Sequence, residues 1–93
     1  MSLYDDVKVA LAANANKLPV AFVNEQIEQS TVTFLKLTPN MRVCIIRLQS
    51  GHEVIGIAQV LDASNDVEEI GNNVALQNAT NELWKTFGAI ALA

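Results

Sequence analysis

Between Met41 and Trp84 the chain carries two apolar strands around a Ser50-Gly51 turn, then a long helix with an acidic start. Ser50-Gly51 supplies a glycine where a tight two-residue turn needs positive φ. Placing Gln49 opposite His52 sets Leu48 against Glu53, Ile46 against Ile55 and Cys44 against Ile57 on one bulky, core-like face. The opposite face then holds Val43, Ile45, Val54, Gly56 and Ala58, which is apolar but flatter. Something must pack closely there, either a helix or a neighbouring subunit.

Asn65 precedes Asp66, Glu68 and Glu69, placing carboxylates where the first turn of a helix has unpaired N–H groups. Asn65 and Glu68 have the spacing of a capping box. Gly71 inside this helix costs about 1 kcal/mol relative to alanine, so its presence points to a backbone contact too close for a Cβ, with the hairpin as the expected neighbour. Val67, Ile70, Gly71 and Val74 share one side, and Leu76, Leu83, Phe87 and Ile90 lie nearly opposite. One small sheet cannot cover both sides. The second half of the helix is therefore expected to meet the N-terminal helices or another subunit.

Upstream, Leu3, Val7, Ala10 and Leu11 recur at helical spacing and predict a helix over 3–15. Pro19 suits the first turn of a second helix carrying Val20, Val23 and Ile27. The β-branched and aromatic run from Thr31, closed by Thr38-Pro39-Asn40, predicts a strand. The expected architecture is α+β: two N-terminal helices, a small antiparallel sheet of about three strands with a central β-hairpin, and a long C-terminal helix. Residues 1–93 fit one domain.

Hydrophobic residues make up 51% of the 93 residues and charged residues 17%, against a usual charged share of about 25%. So small a chain buries only about two thirds of its unfolded surface. A homo-oligomer that hides part of the excess is the expected remedy. The net charge is −4, and the six cations are spread from Lys8 to Lys85, which disfavours duplex nucleic acid as a partner. Cys44 is the single cysteine, so no intramolecular disulfide forms and a reducing cytoplasm is expected. No run approaches the roughly 18 apolar residues of a membrane span, and no signal-peptide pattern opens the chain.

The ordered set Arg42-Val43-Cys44-Ile45-Ile46, Leu48-Gln49-Ser50-Gly51, Val54-Ile55-Gly56-Ile57-Ala58, Glu68-Glu69-Ile70-Gly71, Ala75, Asn78-Ala79 and Leu83-Trp84 resembles a family of small bacteriophage proteins. That family is typified by gene product forty-nine of coliphage N-four, also called the gene-sixty-six family. The likeness covers residues 20–93 and leaves out the first helix, within 1–19. It implies a phage or prophage protein acting in the host cytoplasm. Some related members are non-enzymatic sponges that sequester cyclic nucleotide-type immune signals as oligomers. This chain departs from the pattern in having His52 where the family carries an aromatic ring. It also has Thr80, Asn81 and Glu82 where the family is basic, and Thr86-Phe87-Gly88-Ala89 in place of a Leu-Glu-Gly-Tyr ending. These departures remove cations and a stacking ring that a phosphorylated ligand would use.

The residues most worth testing for ligand binding are His52, Asn65, Trp84 and Lys85. Each has a plainer reading: His52 as a solvated turn residue, Asn65 as a helix cap, Trp84 with Phe87 as core or interface. Cys44 lies too far along the strand from His52 to be a nucleophile with a base, and reads as a core thiol. Asp62, Asp66, Glu68 and Glu69 lack the glycine-centred spacing of a calcium loop and read as helix-capping charges. No catalytic residue, metal ligand or cofactor is expected. The chain reads as a non-catalytic phage accessory protein that binds as a homo-oligomer. The alternatives are a nucleotide-signal sponge and an inhibitor of a host protein.

Overall fold

A computed structural model describes residues 3–14 and 17–92. Its elements run α1 (Leu3–Ala13), α2 (Val20–Glu28), β1 (Thr31–Thr38), β2 (Met41–Arg47), β3 (Glu53–Gln59), a 3-10 turn (Ala63–Asn65) and α3 (Glu68–Leu92). The sheet is antiparallel in the order β1-β2-β3. This is the expected α+β architecture. Pro19 stands at the N-cap of α2 with extended backbone, so its missing N–H leaves no helical bond broken.

The hairpin register differs from the expectation by one residue. Leu48 N–H donates to His52 O at 2.8 Å and Gly51 N–H to Leu48 O at 2.9 Å, so the loop is Gln49-Ser50-Gly51. Gly51 has φ of 93°, the left-handed residue that closes a three-residue hairpin loop. Ile46 consequently faces Val54, Cys44 faces Gly56 and Val43 faces Ile57. A slip of one residue exchanges the two faces of a strand. Ile55 and Ile57, expected in the core, point away from it, and Val54, Gly56 and Ala58 point in.

That exchange lets the flat surface of β3 receive α3. A Cβ on Gly56 would overlap the Ala75 carbonyl oxygen and the Ala79 nitrogen. Strand and helix therefore touch backbone to backbone. Along α3 the buried line is Ala75, Ala79, Leu83 and Phe87, all fully buried. Residues four apart drift about 40° per step round a helix, so this line starts on the sheet and ends against the N-terminal helices. There the Phe22 and Phe87 rings meet edge to face, with centroids 5.6 Å apart. Leu3, Val7 and Val23 complete the cluster with Cys44, Ile46 and Leu48.

Of the two zones expected to need a helix or a second subunit as cover, the β3 half of the flat face (Val54, Gly56, Ala58) and the late apolar track of α3 are covered or partly covered within one protomer, whereas Val43 and Ile45 lie on the opposite face. The side of α3 expected on the sheet behaves oppositely, because Val67, Ile70 and Val74 are exposed. The protomer is elongated, with extents of 48 × 21 × 20 Å and a radius of gyration of 15.0 Å, against about 12 Å for a compact chain of this length.

Candidate functional site

Three chemically distinct places emerge from this frame. The first is an ion cluster that joins the sheet to the start of α3. Arg42 donates from Nε to Asp66 Oδ1 at 2.8 Å and from Nη2 to Oδ2 at 2.7 Å. Lys36 Nζ reaches Oδ2 at 2.9 Å. Lys36 and Arg42 are cross-strand partners on β1 and β2, so both cations leave the same face toward one carboxylate. The Asp66 side chain is 7% exposed. Hydrogen bonds from Arg42, then Lys36, hold it far below the usual carboxylate range against the opposing effect of burial. The bond to Asp66 likewise raises Arg42.

Asp66 therefore acts as an anchor, and the expected capping by it and Asn65 gives way to a different local structure. Asn65 ends the 3-10 turn, and its N–H donates to Asp62 O. Asp62 accepts the Ser64 N–H and Oγ–H at 3.0 and 2.8 Å, which lowers its pKa. Helix α3 begins only at Glu68. The sequence signal for the anchor was Gly71, where a Cβ would stand 2.6 Å from Arg42 Cδ. The missing side chain makes room for the arginine stem, so the close contact is with a side chain of the hairpin.

The second place is an open hollow of 690 Å³ between the hairpin tip, the start of α1 and the end of α3, lined by Leu3, Tyr4, Ser50, His52, Thr86, Ala89 and Ile90. Its polar groups are a phenol, two hydroxyls and an imidazole. Among the described residues its lining holds no Lys or Arg, although Lys8 Nζ stands 5.4 Å from the Tyr4 ring. A smaller depression that shares His52 and Thr86 with it adds Glu53 and Glu82. Uncharged, hydrogen-bonding ligands fit this lining better than phosphorylated ones.

The four residues singled out for ligand binding do not converge. His52 lines the hollow. Trp84 packs partly buried against the core, and Lys85 is exposed and paired with Glu82 at 2.9 Å. Asn65 lies at the far end of α3, since about 25 Å of helix axis separates Glu68 from Lys85. Cys44 is fully buried, and burial pushes its thiol pKa up. Among the described residues no group of three or more His, Cys, Asp or Glu gathers as a metal site. Nor is any helix among them long and apolar enough to cross a membrane.

The third place is the outer face of the sheet, opposite the helices. β1 contributes Thr33 and Leu35, β2 contributes Met41, Val43 and Ile45, and β3 contributes Ile55 and Ile57. Leu35, Ile55 and Ile57 are 45%, 47% and 45% exposed, while Val43 between its two cross-strand neighbours is buried. Sequence reasoning missed this face because it assigned Ile55 and Ile57 to the core.

Set against known protein families, curated proteins and solved structures, the chain matches none.

Proposed function

We propose that this protein works by non-covalent association, as a homo-oligomeric accessory protein of a bacteriophage or prophage acting in the host cytoplasm. The phage origin rests on the resemblance carried by the hairpin and the Glu68-Glu69-Ile70-Gly71 helix start. The association rests on one observation, the uncovered apolar sheet face around Val43. An antiparallel sheet with a solvated face normally alternates apolar-in with polar-out. Here Leu35, Ile45, Ile55 and Ile57 face outward in cross-strand rows. Contiguous apolar patches of this kind on small soluble proteins mark interaction surfaces.

No catalytic role is part of this reading, since the ionisable groups drawn together around Asp66 are matched to one another as a structural clamp. A sponge for a nucleotide-type signal would use the His52 hollow, whose lining favours a ligand with little phosphate. Light scattering on the purified chain at micromolar concentration tests the association. A multiple of the protomer mass is expected, and a clean monomer refutes the reading. Thermal-shift screening with cyclic dinucleotides and ADP-ribose derivatives tests the sponge role, which an unchanged melting temperature across the panel would end.

A further inference from the structure

We infer that the outer sheet face is the contact between two copies of this chain, which stack sheet on sheet about a two-fold axis; this rests on the association reading above and names the surface that carries it. The core cluster draws only on the inner face of the sheet. The described helices lie on that side, with Gly56 seated against α3. The centre of the outer face, Leu35, Val43, Ile45, Ile55 and Ile57, is apolar, and no described helix covers it.

The charge distribution suits a second copy as the occupant. The protein carries −4 overall with ten acidic residues, so two copies repel over most of their surfaces. On the outer face Glu53 is the one acidic side chain, and it lies 3.6 Å from Arg47 across the strand pair. The other acids sit on the helices and in the segment before α3. Two like-charged protomers can therefore approach face to face where each is locally neutral. An isologous contact also sets the Arg47-Glu53 couple of each copy against a patch that contains both signs.

Area agrees with this. The isolated protomer exposes 5905 Å², about 600 Å² more than the roughly 5300 Å² typical of a compact monomer of its mass. A standard dimer interface buries about 800 Å² per partner, an area of the same order as that excess. Aligned sheets pack about 10 Å apart with their inner side chains interdigitated. Leu35, Ile55 and Ile57 on either side of Val43 supply the relief for that packing.

Two substitutions on the face and one off it test the proposal, each read by sedimentation equilibrium with far-UV circular dichroism as a check on folding. Ile57→Lys and Leu35→Lys alter half-exposed side chains, so the protomer keeps its fold, while a charge buried in the contact weakens dimerisation by about 100-fold or more. Ile70→Lys alters a more exposed apolar residue on α3, 62% exposed, and leaves the dimer intact. A folded monomer in both face variants beside a dimeric native protein and a dimeric Ile70→Lys supports the contact. If the native protein is oligomeric and either face variant stays so, or if Ile70→Lys also dissociates it, this face is not the contact and the association reading stands. If the native chain is a monomer, or gains mass only with a partner of different sequence, both the contact and that reading fail.

Discussion

Arg42 grips the Asp66 carboxylate side-on through two hydrogen bonds of 2.8 and 2.7 Å, fastening the central strand to the residue that leads into the long helix. Because the contact is bidentate and nearly shielded from water, it depends on Asp66 being ionised.

That dependence has a sign. Asp66 titrates lower in the folded protein than its unfolded value of about 3.9, so its contribution to stability is fully present above that pH. It is lost as pH falls through the acid range. Asp66→Asn is expected to lower the melting temperature at pH 7, with the difference from the native protein shrinking below about pH 4. Melting curves between neutral and strongly acid pH check this. A difference that is constant with pH would show that Asp66 acts by shape alone.

Three glycines give three different outcomes on conversion to alanine. Gly56→Ala forces β3 off the α3 backbone and should destabilise by about 3 kcal/mol. Gly71→Ala displaces only a flexible arginine stem, and the gain in helix propensity of about 1 kcal/mol offsets much of the strain. Its signature is a weaker pH dependence, since Arg42 is pushed from Asp66. Gly88 has no atom within 4 Å of a Cβ position, so Gly88→Ala should stabilise the helix by about 0.5–1 kcal/mol. Urea unfolding of the three variants orders them.

Phe87→Ala removes a fully buried ring from the junction of α3 with α2. The expected loss is about 3–5 kcal/mol, a large fraction of the stability of so small a domain. A urea midpoint close to that of the native protein would contradict the packing described for this end of the molecule.

Cys44 is sealed between the sheet and α3, and burial disfavours its thiolate. Alkylation or disulfide reagents should leave it unmodified in the native protein and label it fully in denaturant. Rapid labelling under native conditions would place the thiol elsewhere.

Much of this architecture was legible in the sequence because periodicity and punctuation agree along it. Pro19 opens α2 and Gly51 turns the hairpin, while Leu83 and Phe87, expected to meet the N-terminal helices or another subunit, do lie in the core; the start of that buried line at Ala75 and Ala79 was not read from the spacing. The register was not legible from the turn dipeptide, since Ser50-Gly51 serves a two-residue turn and a three-residue loop equally well. That single ambiguity moved Ile55 and Ile57 from core to surface and concealed the outer face. Asp66 was misread for a different reason: local spacing favoured capping, whereas the winning partners, Lys36 and Arg42, lie on distant strands. Of the candidate ligand residues, only His52 lines the hollow at the hairpin tip. Spacing along α3 already separates Asn65 from Trp84 and Lys85 by several turns.

The junction at Gly56 has a consequence for how this domain breathes. Where Ala75 and Ala79 meet the strand, almost no side-chain atoms exist whose rotamers could rearrange to admit solvent, so partial loosening of the seam has no intermediate geometry. Those amide protons of β3 that bond to β2, and those of the middle of α3, should therefore exchange with deuterium together, by the same opening, and near the rate set by global unfolding.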